Sequence, residues 1–394
     1  MSSSSQSELP TLRTLRVVAI GGGTGLSTLL RGLKRYVPTP TGSRRASDLR
    51  APGQTARALA GIAAPEARRA GRGVDPFFSS HPCLIRDLDA IVTVTDDGGS
   101  SGRLREDLNM LPPGDVRNCM VALSEDEALL ARLFQYRFDQ GDLEGHSFGN
   151  LFLAALSGIT GDFAQAVQVS SQILATRGRI FPATNSNVTL AAQMDEGSIV
   201  LGETAITASP HGIVELRLEP ADAKPLPAAL DAIASADLIT LGPGSLYTSL
   251  ITNLLVRGIP EAIAASSAVR VYVGNLMTQA NESLGLTHSQ HIERIMQHCT
   301  VDCVTRTRAA SLPRLFDYAL INTAPISPAL LDRYAREGQA PIEADLDRIR
   351  ALGVEPITGN FVHEGDVLRH DCDRVAEALL QLASVRSPFA NAHF

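Results

Sequence analysis

The chain has 394 residues, of which 44% are hydrophobic and 20% are charged, so it can bury a sizeable core and global disorder is excluded. Its formal net charge of −7 argues against general nucleic-acid binding, which depends on a surplus of lysine and arginine. No stretch approaches the roughly 18 uninterrupted apolar residues that a membrane span needs. The serine-rich start lacks the features of a secretory signal, and the scattered cysteines are typical of reduced thiols, so we expect a soluble cytoplasmic protein.

In chain order, strand-like segments alternate with helix-like segments. Short apolar runs predict strands at 17–20, 89–95, 238–241, 269–273 and 318–321. Apolar residues at helical spacing predict helices at 26–33, 125–138, 151–156, 163–174, 289–298 and 374–383. This alternation predicts an α/β fold, with a mostly parallel sheet and helices on both of its faces. An alternating run at 213–218, after a turn at 195–197, predicts a small antiparallel β element in the middle of the chain.

The segment 38–82 differs in composition from the rest of the chain. It is rich in arginine, alanine, glycine and proline and has almost no large apolar residues, so we interpret it as a flexible insertion. On this basis we expect a disordered tail at 1–13, a single α/β domain at 14–385 and a second tail at 386–394.

A glycine-rich turn follows the first predicted strand and contains Gly22, Gly23, Thr24 and Gly25. Because glycine has no Cβ atom, this backbone can approach a phosphate closely, and the following helix directs its unpaired N–H groups at it. The spacing matches neither the dinucleotide fingerprint nor the P-loop. We therefore predict phosphate contact at this turn without assigning one of those motifs.

A polar cluster follows the second predicted strand, and its candidate ligand contacts are Asp96, Asp97, Gly98, Gly99, Ser100 and Arg103. Paired aspartates at this place are candidates for a ribose-binding acid. They are equally candidates for Mg²⁺ ligands, since Mg²⁺ takes one or two carboxylates together with phosphate oxygens. Arg103 can match phosphate oxygens in bidentate fashion.

Two further turns precede helices and add polar candidates. Asp115, Arg117 and Asn118 lie at the first of these helix starts, where Asp115 is either a ligand contact or an N-cap. His146 lies before the next helix and is a candidate base, a candidate phosphate ligand or a structural histidine.

A second glycine turn, with Gly244 and Ser245, follows the predicted strand at 238–241. Its hydroxyl groups and the N-terminal amides of the next helix predict another anion site. Asn275 follows the next strand and either binds a base or sugar or caps its own turn.

Taken together, these turns resemble the CofD/YvcK-like family, which contains 2-phospho-L-lactate transferase and the gluconeogenesis factor, and they resemble its YvcK branch most closely. The resemblance rests on GGGTG at Gly21, DDGGSSGRLR at Asp96, PPGDVRN at Pro112, GHSFGNL at Gly145, GPGSLYTS at Gly242 and GNLMTQ at Gly274. It implies a Rossmann-like, doubly wound sheet with a cleft for a nucleotide-type ligand. By their place in the motifs, the residues that would line this cleft are Gly22 to Gly25, Asp96, Asp97, Asn150, Ser245 and Asn275. The chain departs from the family pattern at 280–283, where a Pro-Gly-Glu-Thr-like turn is expected.

The resemblance implies two alternative functions. YvcK-type members are regulators that bind UDP-sugars such as UDP-GlcNAc and support cell shape and wall synthesis during gluconeogenic growth. CofD-type members transfer a phospholactyl group onto a deazaflavin precursor with Mg²⁺. Because the sequence nominates no activated nucleophile and only 5% of residues are aromatic, we favour the non-catalytic regulator. An NAD-dependent oxidoreductase is disfavoured by the missing fingerprint, and the oligomeric state, a homo-oligomer included, is left open.

Overall fold

The computed structural model describes residues 13–38, 83–125, 129–279, 282–299 and 314–386. The predicted tails and the predicted insertion at 38–82 lie outside these residues, apart from their boundary positions. The strands are β1 Arg13–Gly21, β2 Cys83–Val92, β3 Arg179–Pro182, β4 Thr189–Met194, β5 Ile199–Leu201, β6 Ile213–Glu219, β7 Leu238–Leu241, β8 Val269–Val273, β9 Tyr318–Asn322, β10 Glu355–Gly359, β11 Val362–Glu364 and β12 Leu368–His370.

The described helices surround these strands. They are α1 Gly23–Lys34, α2 Gly99–Leu108, α3 Gly114–Leu123, α4 Leu129–Gln135, α5 Phe148–Thr160, α6 Phe163–Ile173, α7 Glu203–Ala208, α8 Pro227–Ser235, α9 Thr252–Leu254, α10 Ile259–Ala265, α11 His288–Cys299, α12 Pro328–Arg336, α13 Leu346–Ala351 and α14 Cys372–Arg386. A π-helical segment, Leu246–Ile251, leads directly into α9. None of the helices in the described part of the chain has both the length and the apolar character needed to cross a membrane.

Seven strands form one parallel sheet in the order β10-β9-β8-β7-β1-β2-β3, which confirms the predicted Rossmann-like architecture. β1 pairs with β2 on one side and with β7 on the other. β2 and β3 therefore extend the sheet on one side of β1, and β7 to β10 extend it on the other side. The carboxyl ends of β1 and β7 flank the point where the direction switches, and ligands of such sheets bind in the crevice beyond that point.

The apolar runs that predict the central strands form the core of the sheet. All four residues of β7 are buried, and Val17 and Ile20 of β1 are fully enclosed. Strands covered on both faces read as continuous apolar runs, which is why they could be recognised from sequence. The predicted helical face of α1 is also confirmed, since Leu26, Leu29, Leu30 and Leu33 are all buried, and α1 packs between α3 and α14.

The predicted antiparallel element is a three-stranded sheet in the order β5-β4-β6. A second antiparallel pair, β11 with β12, forms a short hairpin that the sequence does not predict. Its three-residue strands mix polar and apolar residues without a continuous apolar run, and the same holds for the unpredicted edge strands β3 and β10.

Two predicted boundaries are wrong. The second strand spans Cys83–Val92 rather than 89–95, because its first half contains polar residues that hide it in the sequence. The helix predicted at 125–138 ends at Gln135, and residues 126–128 near its predicted start lie outside the described residues. It ends early because the chain turns there: the N–H of Phe138 donates to the carbonyl oxygen of His146, and the N–H of Phe148 donates to the carbonyl oxygen of Tyr136. The predicted apolar face also fails in part, since Leu129 is 60% exposed and Leu133 is 40% exposed.

Candidate functional site

Two glycine turns meet at the switch point between β1 and β7. A Cβ atom on Gly25 would lie 2.7 Å from the carbonyl carbon of Pro243, so the first turn touches the backbone of the second. Gly22 is equally enclosed, because a Cβ there would lie 2.6 Å from both Asp115 Oδ2 and Thr93 Cγ2. Glycine is therefore required at both positions by the close approach of neighbouring atoms.

The second turn is held in shape by Asn275 and Gln279. Asn275 Oδ1 accepts the N–H of Gly244 at 3.1 Å, and Asn275 Nδ2 donates to the carbonyl oxygen of Gly244 at 2.7 Å. Gln279 Nε2 donates to Ser245 Oγ at 2.8 Å, while its buried Oε1 has no hydrogen-bond partner among the described residues. Asn275 thus braces the turn, and Gln279, which is absent from the sequence-based candidates, offers an acceptor.

The two turns open into a cleft with a volume of about 260 Å³. Its wall contains the first turn, Gly244, Ser245 and Asn275, together with Tyr334, Arg369 and His370 from the C-terminal part of the chain. Arg369 lies on β12 and forms no ion pair with any residue that the structure describes. A guanidinium without a carboxylate partner beside a glycine turn is suited to bind a phosphate. Sequence reasoning missed Arg369 because no local motif surrounds it.

The N-terminus of α1 retains free donors. Asp115 accepts the N–H of Gly23, while the N–H groups of Thr24 and Gly25 have no acceptor within the helix. Thr24 and Gly25 both line the cleft. The first turn therefore offers backbone donors and the positive end of a helix to an anion, as its sequence predicts.

The helix after the second turn has fewer free donors. Glu282 Oε1 accepts the N–H of Tyr247 at 3.1 Å and the N–H of Thr248 at 2.9 Å. A carboxylate of the chain itself therefore already occupies two of the helix amides at which the sequence predicts a second anion site. Glu282 belongs to the stretch at 280–283 where the chain departs from the family pattern, of which residues 280 and 281 lie outside the described residues.

Asp96 and Asp97 face different neighbours although they are adjacent in sequence. Asp97 Oδ1 accepts the N–H and the hydroxyl of Thr204, at 2.8 and 2.6 Å, and thereby caps α7. Asp97 Oδ2 approaches Gly202 at the same helix start. Asp96 Oδ1 accepts the N–H of Gly98 at 3.0 Å, and its Oδ2 has no hydrogen-bond partner within the described residues. Asp96 is therefore the better placed of the two carboxylates for a cation.

Asp96, Asp115 and Glu203 form a carboxylate cluster beside the first glycine turn. Burial, and secondarily the charge of Asp96, raise the pKa of Asp115 to about 7, although the residue as a whole keeps some exposed surface. Burial, followed by the charges of Asp115 and Asp96, raises the pKa of Glu203 to about 9. Mutual repulsion in a poorly solvated site is relieved by protons or by a cation. Among the described residues, these three carboxylates are not close enough together to ligate one ion, so Mg²⁺ at this place would be held by Asp96 and completed by ligand phosphates.

Eleven of the eighteen predicted contacts, from Asp96 to Asn150 in the chain, are not in the wall of this cleft, and three of them brace other parts of the structure. Arg103 donates to the carbonyl oxygen of Glu144 at 2.7 Å. Arg117 donates to the carbonyl oxygen of Phe134 at 3.4 Å and to Asn118 Oδ1 at 2.9 Å. These side chains brace loops and helix ends, and the structure does not bring Arg103, Arg117 or Asn118 into the wall of the cleft.

Ser100, His146 and Asn150 meet in a buried polar group at the start of α2. Ser100 Oγ lies 3.1 Å from His146 Nδ1 and accepts a hydrogen bond from Asn150 Nδ2 at 3.1 Å. Burial, followed by the charge of Arg103, lowers the pKa of His146 below its ordinary value. A neutral imidazole that accepts the Ser100 hydroxyl proton fits this geometry. Gly98 caps the same helix and Gly99 opens it with a φ of +47°.

The geometry supports binding of a phosphate-bearing ligand across the switch point. Donors come from the first turn and from Arg369, while Gln279 and Ser245 supply polar contacts opposite them. The carboxylate cluster adds a place for a cation next to those phosphates. Such a combination of backbone amides, one guanidinium and nearby carboxylates is typical of nucleotide-binding clefts.

Known proteins are similar to this chain over most of its length. Residues 17–362 match the family described as 2-phospho-L-lactate transferase CofD. A gluconeogenesis factor from Halalkalibacterium halodurans is 43% identical over 372 residues, which cover 94% of this chain and 97% of that protein. The gluconeogenesis factor of Bacillus subtilis is 39% identical over 369 residues, which cover 93% of this chain and 98% of that protein.

A solved structure has the same fold. It is the crystal structure of a UPF0052 family member from Bacillus halodurans, which matches with a TM-score of 0.76 at 43% identity and covers 93% of this chain and 99% of that one. Because the family match spans most of the sequence and the glycine turns, the parallel sheet and the cleft occur together, the chain belongs to the CofD family.

Proposed function

We propose that this chain binds a nucleotide sugar of the UDP-GlcNAc class in the cleft between the two glycine turns, and that it acts as a regulator of cell shape and wall synthesis during gluconeogenic growth. The observation that carries the proposal is the unpaired Arg369 opposite the free N–H groups of Thr24 and Gly25 in one cleft. Two anionic phosphates can bridge these donors. The relatives named gluconeogenesis factor support the link to gluconeogenesis in this proposal.

The side chains of the cleft favour binding over catalysis. The titratable groups in its wall are Tyr334, Arg369 and His370. His370 Nε2 donates to the carbonyl oxygen of Gly274 at 3.0 Å, and burial lowers the pKa of His370 to about 4, so this imidazole is neutral and already engaged. Tyr334 accepts the N–H of Leu368 through its hydroxyl oxygen. These three residues therefore do not provide a general acid or base in direct reach of the phosphates.

The alternative is a transferase that moves a phospholactyl-type group, as the description of the matched family indicates. Asp115 favours this alternative, because a carboxyl with a pKa of about 7 beside the first turn can exchange a proton at neutral pH. Mg²⁺ at Asp96 would neutralise phosphate charge in either function.

A thermal-shift panel in the presence of Mg²⁺ separates the two functions. UDP-GlcNAc, UDP-glucose, GDP and NAD are compared with buffer alone, each at roughly 100 times the dissociation constant, where a bound ligand adds about 2.7 kcal/mol to stability. The proposal predicts a raised Tm with UDP-sugars and no turnover on long incubation. A raised Tm with GDP alone would favour the transferase, and no shift with any nucleotide would refute nucleotide binding.

A further inference from the structure

A second cavity, with a volume of about 230 Å³, lies beyond the carboxyl ends of β8 and β9. It shares Asn275 and Leu276 with the glycine-turn cleft, so the two spaces adjoin at these residues. The turns after β7 and the residues after β9 are two strands apart, which corresponds to roughly 10 Å across the sheet. A single small ligand can therefore occupy both spaces at once.

The walls of this cavity combine apolar and polar groups. Its apolar side chains include Leu276, Ala324, Ile326, Leu331 and Ile342, and its polar residues are Asn275, Asn322, Thr323 and His288. His288 is 2% exposed, and its Nδ1 has no hydrogen-bond partner among the described residues. A space with apolar side chains and several polar groups is suited to a flat heterocycle, because the ring faces contact carbon atoms and the ring edge carries polar atoms.

The helix α12 bounds both spaces and is only loosely covered by the rest of the chain. None of its residues is buried, and its apolar side chains Leu330, Leu331 and Tyr334 are half-buried. Leu331 lines the second cavity, and Tyr334 lines the glycine-turn cleft. A ligand that fills the two spaces would cover both side chains and so stabilise this helix against the sheet.

The cavity on the other side of the first turn differs in charge. It is lined by Asp96, Glu203, Thr204, Thr207 and Ala208, so it carries two carboxylates, whereas the cavity beyond β8 and β9 carries none. Two carboxylates suit a cation or the hydroxyl groups of a polyol. This difference in charge assigns a direction to a ligand whose phosphates lie between the two cavities.

We propose that the cavity beyond β8 and β9 holds the heterocyclic base of the nucleotide whose phosphates lie at the glycine turns, an inference that rests on the proposed nucleotide binding. The ribose then lies over Asn275 and Leu276, and the base lies between α12 and His288. Any further group on the terminal phosphate is directed towards the carboxylate cluster.

The test uses two probes, UDP and inorganic pyrophosphate, with calorimetry on the full chain. Ala324→Trp fills the cavity from one wall, and Leu331→Trp fills it from α12, where no residue is buried and the core is not disturbed. Ala335→Trp places the same side chain on the exposed face of α12, outside both the cavity and the glycine-turn cleft, and is the matched control. Circular dichroism and Tm establish that each variant is folded.

Both cavity-filling variants are expected to weaken UDP by about tenfold or more, or ~1.4 kcal/mol, with pyrophosphate affinity unchanged. Ala335→Trp is expected to leave both affinities as in the parent. Unchanged UDP affinity in Leu331→Trp, or an equal loss of UDP affinity in Ala335→Trp, would overturn the assignment of the base. If the parent binds pyrophosphate and no UDP, the proposed nucleotide binding itself fails, and with it this inference.

Discussion

The contact between the two glycine turns makes Gly25 a sensitive backbone position of the cleft. A Cβ atom there would lie 2.7 Å from the Pro243 carbonyl carbon, 3.0 Å from the Gly244 nitrogen and closer still to the Pro243 oxygen. An ordinary contact begins at 3.4 Å, so Gly25→Ala requires the turns to separate by at least about 0.7 Å. The obstructing atoms are all backbone, so no side chain can rotate to make room.

This separation is expected to lower both stability and affinity. Overpacking of this kind costs about 1–3 kcal/mol of the free energy of unfolding. A displacement approaching 1 Å also takes an N–H···O contact of ~2.9 Å beyond hydrogen-bond range. Because each lost charge-assisted bond is worth about 1.5–3 kcal/mol, phosphate-ligand affinity is expected to fall roughly tenfold or more.

Urea unfolding and calorimetric titration measure the two effects of Gly25→Ala. Gly158 on α5 provides the matched control, because nothing lies within 4 Å of a Cβ built there. Gly158→Ala is expected to stabilise the chain by about 0.5–1 kcal/mol through helix propensity and to leave binding unchanged. Equal stability and equal affinity of Gly25→Ala and the parent would show that the two turns do not pack as described.

Two further substitutions test the electrostatics of the site. Burial raises the pKa of Glu203 to about 9 in the folded chain, so this residue lowers the stability of the chain as the pH rises above its ordinary pKa of 4.5. Glu203→Gln removes this loss, and the Tm of the variant should exceed that of the parent at high pH and equal it near pH 4. A difference in Tm that does not change with pH would contradict this. Asn275→Asp keeps the acceptor for the Gly244 N–H but sets a carboxylate oxygen against the Gly244 carbonyl, where Nδ2 now lies at 2.7 Å. It should lower stability by about 1–3 kcal/mol and weaken anionic ligands, whereas the exposed Asn187→Asp should do neither; parent-like UDP affinity in Asn275→Asp would be the contrary result.

Sequence reasoning located the glycine turns because their signal is local. Each turn lies where a buried apolar run meets a helical period, and the glycines at 22–25 and at Gly244 mark that junction. The parallel sheet followed from the same alternation. Asn275 was placed at the right strand end, and the alternative that it caps a turn describes its two hydrogen bonds to Gly244.

Other features of the site depend on contacts that no local pattern shows. Glu282 reaches the N–H of Tyr247 from 35 residues away and fills a helix end that looked free in the sequence. Asp97 is directed to Thr204 on α7, at a sequence distance of 107 residues, while the adjacent Asp96 is not. Arg369 is brought to the cleft only by the short hairpin β11–β12. These relations require the tertiary structure.

The most direct test of nucleotide-sugar binding is a calorimetric titration of UDP-GlcNAc, with Mg²⁺, into the parent, Arg369→Ala and Arg132→Ala. Arg132 is an exposed arginine on α4, outside the cleft, and controls for loss of charge. We expect saturable binding of UDP-GlcNAc to the parent and to Arg132→Ala. In Arg369→Ala the affinity is expected to be lower by about 10- to 100-fold, since a charge-assisted hydrogen bond contributes about 1.5–3 kcal/mol. Equal affinity in Arg369→Ala and the parent, or no binding by the parent, would contradict it.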